Sequence, residues 1–221
     1  MQDIEGLRQS LDAPEITQLG HSFGGLLALE YAARYPDRVA RIVIVAGMWD
    51  MTVQCPLRLA VLAERAPDAF ARVRSDTLRS DGSRRSDCEL EFEAFDSGVE
   101  REAYNSAIMF PDSITRLQLD SVTAASGLRN TGEIGNALFT QGLLDYRLNQ
   151  PSAIDVPVLV IAGRHDGASV ASGLELLAER LPNAAFRLFE RSGHFVYLDE
   201  PERFVREVTS FVLEAAGLND G

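Results

Sequence analysis

Ile16-Thr17-Gln18-Leu19-Gly20-His21-Ser22-Phe23-Gly24-Gly25, running on through Leu26-Leu27-Ala28-Leu29 to Ala46, is the stretch whose reading decides the fold. Residues 15–19 form a short strand candidate. Residues 20–25 form a tight glycine-rich turn, and residues 26–34 an Ala/Leu-rich helix that Pro36 ends. Residues 39–46 (VARIVIVA) are a β-branched run of the kind buried on both faces of a sheet. Strand, helix, strand in that order is a βαβ unit, so the two strands pair in parallel.

Working outward, residues 3–11 read as a helix with Ile4, Leu7 and Leu11 on one face, broken at Pro14. Residues 156–162 (VPVLVIA) are a second buried strand. Residues 169–180 form a helix with Leu174 and Leu177 inward, residues 185–189 a last strand, and residues 201–216 a closing helix that starts on Pro201. Residues 49–150 differ in character. They are polar and helix-leaning, carry acids at Glu89, Glu91, Glu93, Asp96, Glu100 and Glu102, and contain no convincing buried strand. The expected organisation is an α/β core in two pieces, residues 1–48 and 151–221, with a helical cap at 49–150 between them.

The chain has 221 residues, 46% hydrophobic and 24% charged, which is enough for one globular domain with a sizeable core. Its net charge is −12, and every basic residue is Arg. That balance argues against nucleic acid and anionic membrane as partners. No apolar run reaches the ~18 residues of a membrane span. The first residues carry Asp3 and Glu5 and no basic segment, so no signal peptide is read and a cytoplasmic location is expected. Cys55 and Cys88 fit no metal-binding or Cys-x-x-Cys spacing. They are expected to be packing residues or exposed thiols rather than a disulfide.

Gly20-His21-Ser22-Phe23-Gly24 matches G-x-S-x-G in the required setting, after a strand and before a helix. Ser22 then sits on a sharp turn with its hydroxyl projecting from the sheet edge. Side chains at Gly20 or Gly24 are expected to collide with neighbouring backbone. The helix N-terminus offers free amides to a developing oxyanion, the Phe23 N–H first among them. The alternative is a glycine-rich turn with a buried serine. A serine nucleophile needs a base, and the chain holds three histidines. His21 and His165 adjoin Ser22 and Asp166 and are expected to point elsewhere. His194, just past the last strand, lies where a base must sit. Asp166, on the loop after residues 156–162, is the first choice for the acid that orients it. Asp50, beyond the strand ending at Ala46, is the rival, and Asp199 reads as a helix-start residue before Pro201. The order Ser22, Asp166, His194 needs no metal and no organic cofactor.

GHSFGGLLALEYAARYPDRVARIVIVAG, VPVLVIAGRHD and RSGHFVYLDEPERF together resemble the α/β-hydrolase superfamily. Within it, Gly135 to Leu148 (GNALFTQGLLDYRL) is similar to the last cap helix and connector of the proline iminopeptidase group. The resemblance implies an α/β-hydrolase fold, a mostly parallel sheet with a helical cap, and a serine hydrolase working through an acyl-enzyme. A small molecule or short peptide would be the substrate, and release of an N-terminal residue the expected reaction. In that group cap glutamates hold the substrate's amino terminus. Here Gly135-Asn136-Ala137-Leu138 carries no acid, and Glu133 is the residue that could take the role. Trp49 falls where pocket walls lie, and packing is its alternative.

The family also has strands and a second oxyanion donor upstream of the helix that starts here at Asp3. A chain truncated at its N-terminus is therefore expected, with residues 15–19 as an apolar edge that a homo-oligomeric partner could cover. Losing one oxyanion donor costs about 100- to 1000-fold in turnover. The runner-up substrates are esters, lactones or C–C bonds of small dienones. A truncated pseudo-hydrolase that binds without turnover is the non-enzymatic reading.

Overall fold

The β-branched runs build the centre of the sheet. In the computed structural model, which describes residues 1–75, 77–96, 106, 108–110, 112–127 and 133–213, four parallel strands lie side by side in chain order. They are β1 (Ile16–His21), β2 (Val39–Val45), β3 (Val158–Gly163) and β4 (Ala184–Phe189). α1 (Gln2–Ser10) precedes β1, α2 (Phe23–Arg34) joins β1 to β2, and α8 (Ala171–Arg180) joins β3 to β4. A short α9 (Val196–Asp199) and a final α10 (Pro201–Leu213) close the described chain. The end expected for that last helix, residues 214–216, lies outside the described residues.

Alternation along β2 and β3 sorts the core into two layers. Ile42 and Ile44 of β2, with Val158, Val160 and Ala162 of β3, face α2 and α8. Val43, Val45, Leu159 and Ile161 face the other way, where Phe204, Val208 and Phe211 of α10 cover them. Helices on both faces of parallel strands explain why these runs are apolar throughout rather than alternating. β1 is at one edge among the described residues, and its Leu19 is 52% exposed.

Between β2 and β3 the described elements are helical apart from isolated bridges. They are α3 (Met51–Arg65), α4 (Pro67–Ser75), α5 (Asp87–Asp96), α6 (Ser113–Ser126) and α7 (Glu133–Thr140). Of the acids noted there, Glu100 and Glu102 lie outside the described residues. Three sequence expectations need correction. Cys55 and Cys88 form a disulfide, S–S 2.08 Å, that ties α3 to α5. Spacing gives no hint of it, because the pair meets only when two cap helices lie side by side. Trp49 is a core residue and not a pocket wall. It is 1% exposed, its Nε1 donates to the Gly173 carbonyl at 3.1 Å, and the Arg180 guanidinium covers its ring. No face of the ring is left for a ligand. The third concerns the turn, where the helix starts at Phe23, so Gly24 and Gly25 are already helical.

Candidate active site

All four strands end together. His21 pairs with Val45, Val45 with Ile161, and Gly163 with Phe189, so the loops that follow emerge along one carboxyl edge. That edge is where ligands bind in open parallel sheets. Ser22 follows β1, Asp166 follows β3, and His194 follows β4.

Ser22 sits in a left-handed conformation, φ 53° and ψ −120°, between the last strand residue and the first helical one. A non-glycine residue there is strained, and surrounding contacts must hold it. The Ser22 N–H donates to the Val45 carbonyl at 3.0 Å, and the Ser22 carbonyl accepts from Gly25 at 3.0 Å and Met48 at 2.9 Å. Gly20 is required because a Cβ on it would come within 2.7 Å of the Gly25 nitrogen. Gly25 is required because its Cβ would meet the Gly47 Cα at 2.9 Å. Gly24, in contrast to the sequence expectation, has nothing within 4 Å of such an atom. The Phe23 N–H opens α2, so it has no acceptor inside the helix and is available to an anion.

Asp166 is 2% exposed and fully engaged. Its Oδ2 lies 2.9 Å from His194 Nδ1, and its Oδ1 accepts from the Ala168 N–H at 2.7 Å and the Ser169 N–H at 2.9 Å. A carboxylate receiving two backbone amides and an imidazole N–H is fixed in orientation. Among the described residues, the rival Asp50 makes no hydrogen bond to a histidine. It caps α3, accepting from the Thr52 N–H at 2.9 Å and hydroxyl at 2.7 Å. Asp199, expected at a helix start, ends α9 and accepts from the Gly193 N–H at 2.8 Å and from the Thr115 hydroxyl of α6.

The acid and base loops lean on each other and on the cap. A Cβ on Gly163 would come within 2.8 Å of the Ser192 carbonyl carbon, so only glycine fits where β3 ends. The His165 N–H donates to the Ser192 carbonyl at 2.9 Å. Gly167 donates to the Ile108 carbonyl at 2.7 Å, and His194 to the Met109 carbonyl at 2.9 Å. Buried Arg58 of α3 donates to the Ala168 carbonyl and pairs with Glu91 of α5 at 3.6 Å. Ser169, wholly buried, donates to the Ala46 carbonyl at 2.8 Å.

The His21 side chain packs against the base loop. Its Nε2 lies 2.9 Å from the His194 carbonyl and its ring centroid 4.7 Å from that of His194. Burial, and next the neighbouring His194, hold its pKa down at about 4. Among the described residues, Ser22 Oγ and His194 Nε2 carry no hydrogen bond. In sites of this kind that link commonly tightens when substrate is held. Glu133 is exposed at the start of α7, and Trp49 is in the core, so neither joins the cluster. Among the described residues no group of His, Cys, Asp and Glu could hold a metal, and no helix is long and apolar enough to cross a membrane.

A family model for the alpha/beta hydrolase fold matches residues 2–201, and the chain belongs to that family. It is 30% identical over 223 residues to a 2-hydroxymuconate semialdehyde hydrolase of Pseudomonas putida, covering 95% of this chain and 67% of that protein. It is 26% identical over 230 residues to a cis-3-alkyl-4-alkyloxetan-2-one decarboxylase of Shewanella oneidensis, covering 98% of this chain and 66% of that one. A proline iminopeptidase-related protein of Thermus thermophilus superposes with a TM-score of 0.72 at 23% identity, covering 96% of this chain and 69% of that one. The chain thus spans about two thirds of the length of these relatives.

Proposed function

We propose that this protein is a serine hydrolase acting through an acyl-enzyme on a small carbonyl compound. The observation that carries the reading is the buried Asp166–His194 pair held at the same sheet edge as the strained Ser22. Ser22 Oγ attacks the acyl carbon as His194 Nε2 takes its proton. Asp166 holds the proton on His194 Nδ1 and stabilises the imidazolium, and the Phe23 N–H receives the oxyanion. His194 then returns the proton to the leaving group. It next activates water to release the acid and free Ser22.

An ester, a lactone or a C–C bond flanked by carbonyls is favoured over a peptide, because the relative at 30% identity is a semialdehyde hydrolase by name. N-terminal peptidase action stays as the second reading, through the iminopeptidase-related fold neighbour. That reading needs an acid to pair with the substrate's ammonium. Glu133, the candidate, is exposed, and exposed pairs contribute only about 0–1 kcal/mol.

Intact-mass analysis after a fluorophosphonate probe, with Ser22→Ala beside the parent, tests the chemistry. One adduct on the parent and none on the variant is expected. Equal labelling of both, or of neither, refutes the reading. Hydrolysis of a nitrophenyl ester in preference to a prolyl-naphthylamide would then favour the first substrate class over the second.

A further inference from the structure

We infer that His21 is a positioning residue for His194, its Nε2–H gripping the His194 carbonyl and its ring backing the His194 imidazole, so that nucleophile elbow and base loop move as one body. The inference rests on the hydrolase reading above, in which His194 is the base.

A carbonyl oxygen only accepts, so the 2.9 Å contact puts the proton on His21 Nε2 and leaves Nδ1 bare. Among the described residues, this is the one hydrogen bond joining residues 20–25 of the elbow to residues 192–195 of the base loop. It completes a set around His194. The His194 N–H is held by the Met109 carbonyl, its C=O by His21, and its Nδ1 by Asp166. Nε2 is then the one polar atom of the residue free to take a proton from Ser22.

The surroundings of His21 suit a fixed neutral ring. Phe195 packs at 5.4 Å between centroids and Tyr197 edge-on at 5.3 Å. The titratable groups around it are His194, Asp166 and Tyr197. A cationic His21 would oppose the imidazolium that forms on His194 during acylation. The depressed pKa of about 4 removes that conflict at neutral pH.

The test compares the parent, His21→Phe and His21→Gln. Phe keeps a ring without the donor, and Gln keeps a donor close to the Nε2 position. Two quantities are read on each protein at matched thermal stability. One is the fluorophosphonate labelling rate as a function of pH. The other is the ¹⁵N and ¹H spectrum of the histidine rings, including the His194 Nδ1–H hydrogen-bonded to Asp166. We expect His21→Phe to label at least tenfold more slowly and to broaden or lose the Nδ1–H signal, and His21→Gln to recover both to within about threefold.

An unchanged rate and an unchanged Nδ1–H signal in His21→Phe overturn the inference. So does a His21 in the parent that shows the Nδ1–H tautomer. A parent that never labels refutes the hydrolase reading instead, and the ring spectra alone then decide whether His21 positions His194.

Discussion

Reducing the Cys55–Cys88 disulfide should cost the protein about 4 kcal/mol of stability. The two residues are 33 apart in sequence. The chain-entropy relation for a loop of that length gives roughly 12.5 cal/mol/K, or about 3.7 kcal/mol at 25 °C. Both half-cystines are buried, Cys55 at 0% and Cys88 at 5% exposed, so reductant must be added with denaturant to reach them. The chain has a single tryptophan, Trp49, locked in the core beside the start of α3, and its fluorescence reports unfolding directly. With a urea slope of about 2 kcal/mol/M, the oxidised midpoint should lie about 2 M above the reduced one. A Cys55→Ser, Cys88→Ser double variant should match the reduced parent and ignore reductant. Coincident midpoints for oxidised and reduced parent would refute both the loop argument and the pairing of α3 with α5.

Three further expectations concern the site. Asp166→Asn should slow probe labelling by about 10⁴-fold, as loss of the orienting acid does in serine enzymes, while Asp50→Asn should leave labelling intact and cost about 1 kcal/mol as a helix cap. Gly20→Ala should abolish both soluble folding and labelling, whereas Gly24→Ala should fold normally, a contrast that expression and thermal melts will read. His21, with a folded pKa of about 4 against 6.5 when unfolded, stays neutral while the unfolded chain takes up a proton. Its contribution therefore falls away as pH drops from about 6.5 to 4, by up to about 3 kcal/mol, and His21→Gln should flatten that part of a urea-midpoint profile against pH.

Elements defined by local pattern were legible in the sequence. The β-branched runs 39–46 and 156–162 read as buried strands, and β2 falls within the first while β3 overlaps the second. G-x-S-x-G located the elbow, and its serine has the strained backbone that the motif demands. Asp166 was preferred to Asp50 because its loop directly follows the 156–162 run; it lies 2.9 Å from His194 Nδ1, whereas Asp50 caps α3.

What stayed hidden depends on contacts between distant segments. Alternation along β1 turns the His21 side chain away from Ser22, and nothing local tells that the base loop fills that side. The room around Gly24 reflects where α2 meets its neighbours, whereas the crowding at Gly20 and Gly25 comes from backbone crossing backbone. Trp49 follows a strand end, where wall and core positions alternate residue by residue.

The helices between β2 and β3 have a further consequence, for protein engineering. They brace the acid and base loops. Arg58 of α3 supports the acid loop through the Ala168 carbonyl, the Ile108 and Met109 carbonyls receive amides from the acid and base loops, and Thr115 of α6 donates to Asp199 beside the base. A chimera that exchanged this segment for that of a relative, to import a new specificity, would strip those struts as well. A successful graft would have to transplant the donor loops with the helices or rebuild each of these contacts on the new surface.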